Sequence, residues 1–297
     1  MIRVSVVSST DRAAGVTESL RLIDSEVEIP DRPVMVKPNF VTTKMQLAAT
    51  HVDSVRATLE YLSGKGVRDF VVAVGPAIGT PDAGFENYGY KPLADDFNIE
   101  FLDLNNDDRV PVPAFDDQLN PQTLYMSKRL SESYVVSVCP MKTHNNVVVT
   151  LGLKNILVGT LSGKEQKQKI HKGSKAINLT LAKMAQHVAP DLTVIDGVVG
   201  MQGDGPVGGY EISSNVVVAS HHAIAADVVG LQVMGFELEK VGYLRYAMEL
   251  RNLTLGDIEV VGSSIEDVRV AYDEHSEMAD QLTWPLEGDW RGVFNRG

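Results

Sequence analysis

The sequence predicts an α/β fold: a mostly parallel open sheet with helices on both faces, built as a single domain with insertions. Three observations carry this. Short apolar runs alternate with stretches of helical period, as in 34–37, 53–63 and 70–74, which is the β-α-β order of a parallel sheet. The run 134–140, YVVSVCP, is apolar enough for an inner strand. No internal repeat or low-complexity linker divides the 297 residues, of which 44% are hydrophobic, so they can serve one core. Residues 1–273 are assigned to that domain. The segment 274–297, with Trp284 and Trp290, is too polar to stand alone and is expected to dock on the body or on a partner subunit.

In order, 2–8 alternates like a first strand and lacks the basic and apolar regions of a leader. A short helix is expected over 17–23, capped by Thr17 or Asp11. RPVMVKPNF gives a strand over 34–37 that Pro38 stops, because proline has no N–H and holds the preceding residue extended. Lys37 and Asn39 are thereby presented at a strand end. Over 53–63, Val55, Leu59 and Leu62 share one helical face, with Asp53 as N-cap and Gly64 or Gly66 as terminator. A strand over 70–74 runs into glycines 75, 79 and 84, whose spacing is not the GxGxxG of a dinucleotide site. A phosphate-cradling loop and a plain connection both fit there. A helix near 92–97 and a strand over 99–104 follow. NNDDRVPVPAFDDQLNP then reads as an exposed, proline-broken excursion.

The chain is organised around 139–159, which sets Lys142, Thr143, His144, Asn145, Asn146, Thr150, Lys154 and Asn155 beside an apolar run. Ammonium, imidazole and amide groups are costly to desolvate, so such crowding points to a ligand. The strand over 134–140 should end where the cluster begins, and open α/β sheets bind ligands at the carboxyl ends of strands. Next, GKEQKQKIHKGSK carries Lys164, Lys167, Lys169, Lys172 and Lys175 against Glu165, between Gly163 and Gly173. It fits a lid over an anion or a solvated loop. Ser174 is expected to cap a helix through His187.

A strand over 191–196 ends in GVVGMQGDGPVGG, which holds Asp196 and Asp204 near a strand terminus. Two carboxylates there suit a divalent cation such as magnesium, or acid–base work; an Asx turn at Asp204 fits equally. After a strand over 214–219, an apolar helix carries Asp227, which needs a partner. It is expected to face the lysines of the central stretch or to form a structural ion pair. A helix over 238–250 and a strand over 258–262 close the domain.

VKPN at 36–39, PMKTH at 140–144, TLGLKN at 150–155, DGVVGMQGDGPVGG at 196–209 and the helix with Asp227 and Gly230 resemble, in order and spacing, a widespread prokaryotic family. That family is domain of unknown function 362 (DUF362), and the resemblance covers 32–235. Many of its members carry ferredoxin-type cysteine runs and are called iron–sulfur proteins. This sequence lacks those runs. Where the family has Glu and Asn, Gln202 and Asp204 stand here, which moves the carboxylate by two positions and weakens a carried-over metal assignment. The resemblance implies one site from Lys37, Asn39, Lys142, His144, Lys154, Asn155, Asp196 and Asp227, and it supplies no reaction.

Composition bounds the rest. A net charge of -12 opposes nucleic acid and anionic membranes, and no window approaches the roughly 18 apolar residues of a membrane span. The single cysteine, Cys139, reads as a small buried residue; it excludes an intrachain disulfide framework and an iron–sulfur cluster from this chain. A cytoplasmic setting is the simplest expectation. The leading functional reading is an enzyme acting on a small anionic metabolite, a carboxylate or phosphate, by acid–base chemistry. Lys37, Lys142 and Lys154 would neutralise it, Asn39 and Asn155 would orient it with Thr143 and Asp227 nearby, and His144 would be the general acid or base. Lys142 and Lys154 complete the catalytic set, and Asp196 or Asp204 would hold a divalent cation or polarise His144. The alternative is a ligand- or cofactor-binding module serving a separate redox partner. A homo-oligomer fits either reading.

Overall fold

The structure, a computed structural model, describes residues 1–296. The main sheet follows the order β12 (Ile258–Gly262), β1 (Ile2–Ser8), β11 (Val216–Ser220), β9 (Leu192–Gln202), β7 (Tyr134–His144), β2 (Val34–Pro38), β3 (Asp69–Val74) and β4 (Asn98–Asp103). Short strands β8 (Val148–Thr150) and β10 (Tyr210–Ile212) add antiparallel pairs to β7 and β9. Along the main path β11 alone runs against its neighbours; the other pairings are parallel. β5 (Arg109–Phe115) and β6 (Pro121–Ser127) form a separate hairpin.

Period-two alternation feeds two cores. Met35, Cys139 and Ile195 enter one layer, while Val34, Val36, Val136 and Val138 enter the other. The first layer is covered by the helices Gly152–Gly159, Ser174–Met184, Ala223–Val233 and Gly242–Arg251. The second is covered by Arg12–Leu22 and Val52–Gly64. The chain goes outward from β2 to β3 and β4, returns to β7 on the other side of β2, and continues to β9. The helices that follow β2 and β7 lie on opposite layers. Strand order therefore reverses between β2 and β7, and the crevice beyond their carboxyl ends is where an open α/β sheet receives a ligand.

Several elements differ from expectation for local reasons. β7 does not stop at Pro140 but continues to His144, because a register shift between Pro140 and Lys142 carries it past the proline and β8 folds back on it. β9 likewise runs through its glycines to Gln202, where β10 pairs with it. The first helix starts at Arg12 under an Asp11 cap. His51 rather than Asp53 caps Val52–Gly64, accepting from Asp53 N at 3.3 Å. Gly173 precedes Ser174–Met184, and the Ser174 hydroxyl instead donates to Gln281 O (2.5 Å). A helix, Pro81–Asn87, occupies part of the glycine-punctuated stretch after β3. The helix expected near 92–97 is a 3-10 turn, Lys91–Asp95. The one expected over 238–250 is a 3-10 turn, Leu238–Lys240, followed by Gly242–Arg251.

The supposed exposed excursion is the β5–β6 hairpin, with Ala114 and Phe115 buried and Phe115 N donating to Thr180 Oγ1 (2.9 Å). Its prolines are tolerated because a lone hairpin is all edge. The C-terminal segment packs on the body: Trp284 and Trp290 meet Tyr246 with ring centroids 5.2 and 4.6 Å apart.

Candidate active site

The floor of the crevice is an amide relay. Asn39, just past the end of β2, is fixed by its N–H donating to Thr50 Oγ1 (2.8 Å). Lys142 Nζ donates to Asn39 Oδ1 (2.7 Å), Asn39 Nδ2 donates to Asn155 Oδ1 (2.9 Å), and Lys37 Nζ donates to that same oxygen (2.7 Å). Asn155 Nδ2 donates onward to Lys37 O (3.1 Å) and Ser137 Oγ (3.0 Å). The Asn155 amide thus uses both acceptor sites and both donors. Lys142 and Lys37 each give one further bond, to Ala48 O and Pro38 O, both at 3.0 Å. Two donors per amine are what a neutral amine supplies, with no third N–H left over. A Cβ at position 159 would stand 2.3 Å from Lys37 Nζ, so any larger residue there displaces that amine from its acceptors.

Lys37, Lys142, Lys154 and Lys167 are all buried. Among the described residues none of them has a carboxylate oxygen within 4.0 Å. Burial pushes Lys154 down to about 7, and burial with the Lys154 charge does the same to Lys142. Burial lowers Lys167 to about 8 against the pull of Asp103 and Glu165. Lys37 lies well below its ordinary value through burial and then the Lys167 charge. The cause throughout is desolvation of a cation, which favours the neutral amine.

Above this floor lies a cavity of about 340 Å³, lined by His144, Lys154, Asn155, Lys167 and His171 and by apolar Phe40, Val158, Pro206 and Val207. Its central pair fixes a tautomer. Asn146 N donates to His144 Nδ1 (3.0 Å), so that nitrogen carries a lone pair and the proton of the neutral ring sits on Nε2. Nε2 is 2.9 Å from Lys154 Nζ. The contact is therefore Nε2–H donating to the lone pair of an uncharged Lys154. Burial, then Lys154 and His171, keep His144 well below its ordinary pKa, so the ring is neutral. His171 Nδ1 must donate to Lys167 O (2.5 Å), which leaves its Nε2 with a lone pair. The two imidazoles stack at 5.8 Å and 22°. Burial, followed by Lys154, lowers His171 to about 4.

A strained turn presents this pair. Val148 has φ of 67°, and Val149 N closes a three-residue turn on Val147 O (2.7 Å). A β-branched residue in the left-handed region is unfavourable by about 1–3 kcal/mol. Gln281 of the C-terminal segment stabilises the turn, its Oε1 accepting from Val148 N at 2.6 Å.

The residues expected at the site divide accordingly. His144, Lys154, Asn155 and Asn39 line the cavity, while Lys37 and Lys142 lie behind it in the relay. The Thr143 hydroxyl donates to Gly203 O (2.8 Å) and anchors β7 to the glycine turn. Asp227 does not face the lysines. Its two oxygens accept from Gly152 N (2.7 Å) and Leu153 N (2.9 Å), capping the helix that carries Lys154, and burial raises it to about 8 against those two donors. Asp196 accepts from Arg12 Nε (3.0 Å) and Ser54 Oγ (2.6 Å), and Asp204 accepts from Ser276 N (2.8 Å). Neither lines the cavity, and among the described residues no group of three or more His, Cys, Asp or Glu is placed to hold a metal ion.

Sequence reasoning did not single out Ser137 or His171, and it placed Lys167 in either a lid or a solvated loop. The available signal was the i, i+4 spacing of Lys167 and His171, which brings both onto one face of Lys164–Ile170 and its end.

Comparison with known proteins bears on the family of this chain. The thylakoid-associated protein sll1697 of Synechocystis sp. is 28% identical over 206 residues, which cover 67% of this chain and 62% of that protein. The profile of the family described as "Domain of unknown function (DUF362)" matches residues 34–232, from β2 through the helix that bears Asp227. Relay, imidazole–amine pair and capping carboxylate all fall inside that span, and the chain belongs to the DUF362 family.

Proposed function

We propose that this chain is an enzyme acting on a small anionic metabolite, a carboxylate or a phosphate ester, by acid–base chemistry in the crevice between β2 and β7. The observation that carries this reading is the set of buried amines, two of them lining a cavity, with no carboxylate oxygen within 4.0 Å among the described residues. Holding amines out of water without a counterion is unfavourable in their charged form. An anion in the cavity supplies the missing charge and raises their proton affinity. Lys154 and Lys167 then meet the ligand, His144 and His171 hold and pass protons, and Lys37, Lys142, Asn39 and Asn155 keep the floor rigid. Asp196 and Asp204 have no part in this reading.

A thermal-shift screen of phosphate and dicarboxylates tests it. A ligand present at 100 times its Kd stabilises the folded state by about 2.7 kcal/mol. Anions should therefore raise the melting temperature of the wild type and leave Lys154→Met and Lys167→Met unmoved; no response from the wild type would overturn the reading. His144→Ala separates an enzyme from a carrier for a redox partner, since an enzyme loses turnover while still binding. No described helix is long and apolar enough to cross a membrane, and a cytoplasmic site of action is part of the same proposal.

A further inference from the structure

We infer that Lys154 is a nucleophile that forms an iminium with the carbonyl carbon of a small oxo acid whose carboxylate is held by Lys167. This rests on the anion-pocket reading and adds to it the bond that forms. Four buried amines share the crevice, and their hydrogen bonds set one apart. Lys37 and Lys142 donate to amide and backbone oxygens, and Lys167 donates to Asn105 Oδ1. Among the described residues Lys154 has no oxygen partner, and its one contact is His144 Nε2. With Asn146 N–H holding the Nδ1 lone pair, that contact places a hydrogen on Nε2 and a lone pair on Lys154.

An anion that needed only charge neutralisation would call for ammonium groups aimed at it. A neutral amine paired with an N–H donor suits an electrophile instead: the amine attacks carbon while the donor stabilises the oxygen. The cavity of about 340 Å³ limits the partner to a small molecule.

Turning Nζ away from the ring frees both groups together. The Nζ lone pair forms the C–N bond, and the carbonyl π pair moves to oxygen, which accepts from His144 Nε2–H. One proton passes from Nζ to that oxygen, giving a carbinolamine. The oxygen then leaves as water after taking one further proton from solvent, relayed by the His171 Nε2 lone pair. The sum is amine plus carbonyl plus one proton giving iminium plus water. Nothing is oxidised or reduced. The resulting cation, next to Lys167, withdraws electrons from the neighbouring carbon and so favours proton loss or bond cleavage there.

The full-length protein is treated with glyoxylate and cyanoborohydride at neutral pH, and the modified lysines are mapped by mass spectrometry. Lys154 should gain the mass of glyoxylic acid less one oxygen atom. It should do so roughly tenfold or more faster than the exposed Lys164, Lys169, Lys172 and Lys175, because a far larger share of its amine is unprotonated. Added phosphate should protect it. Labelling of Lys167 or of the exposed lysines ahead of Lys154 overturns the inference. If glyoxylate or phosphate raises the melting temperature while Lys154 stays unmodified, the anion pocket stands and the nucleophile falls. If neither anion stabilises the protein and Lys154 is not labelled, both fall.

Discussion

Lys37 and Lys142 on the floor of the crevice differ from Lys154 at its wall in what their amines touch. The floor amines spend their donors on Asn155, Asn39 and two backbone carbonyls, whereas among the described residues the Lys154 amine is hydrogen-bonded only to an imidazole nitrogen. All three are buried, so burial alone does not distinguish structure from chemistry here. The distinction lies in saturation. A buried group with its valences filled holds the fold, and one left short of an oxygen partner is available to a ligand.

The largest test of that contrast is pH. Lysines lowered to about 7 or 8 in the fold return to their ordinary value near 10.5 on unfolding, so between those limits the unfolded chain binds more protons. Stability of the ligand-free protein should therefore rise with pH from about 7 and level off near pH 10, by an amount on the order of several kcal/mol. The charged and titratable groups around these amines are one another, His144, His171, Cys139, Asp103, Glu165 and Lys164. Asp227 contributes with the opposite sign and mostly in a lower window, from 3.8 to about 8, where the folded state holds the extra proton. Bound phosphate should flatten the lysine-driven rise; urea unfolding at several pH values measures both.

Asn155→Ala comes next. It removes the Asn155 partner of Asn39 Nδ2 and Lys37 O, and one of two partners each of Lys37 Nζ and Ser137 Oγ, which keep Pro38 O and Gly152 O. At about 1–3 kcal/mol for each buried group left unpaired, partly relieved by water, the loss should be about 4 kcal/mol. A loss under about 1 kcal/mol would mean the relay is not structural. Asp227→Ala exposes Gly152 N and Leu153 N and should cost about 2–3 kcal/mol, with weaker anion binding because the helix bearing Lys154 loses its anchor.

Gln281→Ala removes the acceptor of Val148 N and should cost about 1–2 kcal/mol, read as earlier thermal unfolding. The smallest effect on stability belongs to Lys154→Met, a change of similar volume that removes a costly amine. It should stay within about 1 kcal/mol of wild type or stabilise, while abolishing the response to anions. Equal destabilisation by Lys154→Met and Lys142→Met would erase the contrast between wall and floor.

How much of this was legible in the chain follows from which signals are local. β2, β3, β12 and the helix Val52–Gly64 announce themselves by periodicity and by Pro38. The cluster from Lys142 to Asn155 was legible because polar groups stand inside an apolar run. The passage of β7 beyond Pro140 was not, since it depends on a register shift and on β8, both properties of pairing. Nor were the partners of Asp227 and Asp196. Backbone N–H groups leave no trace in a sequence, and Arg12 lies far along the chain from Asp196. The division of the lysines into floor and wall was hidden for the same reason: it is set by which oxygens three-dimensional packing places within reach.

Nitrogen NMR of the ligand-free protein, labelled in histidine and lysine, reads the protonation of the His144–Lys154 pair itself. At pH 7.5 His144 should show a proton on Nε2 and a lone pair on Nδ1, and Lys154 Nζ should be mostly neutral amine, the more so as pH rises to 8.5. A His144 ring protonated on Nδ1 facing a fully charged Lys154 across that same range would rule out a neutral amine at the cavity wall.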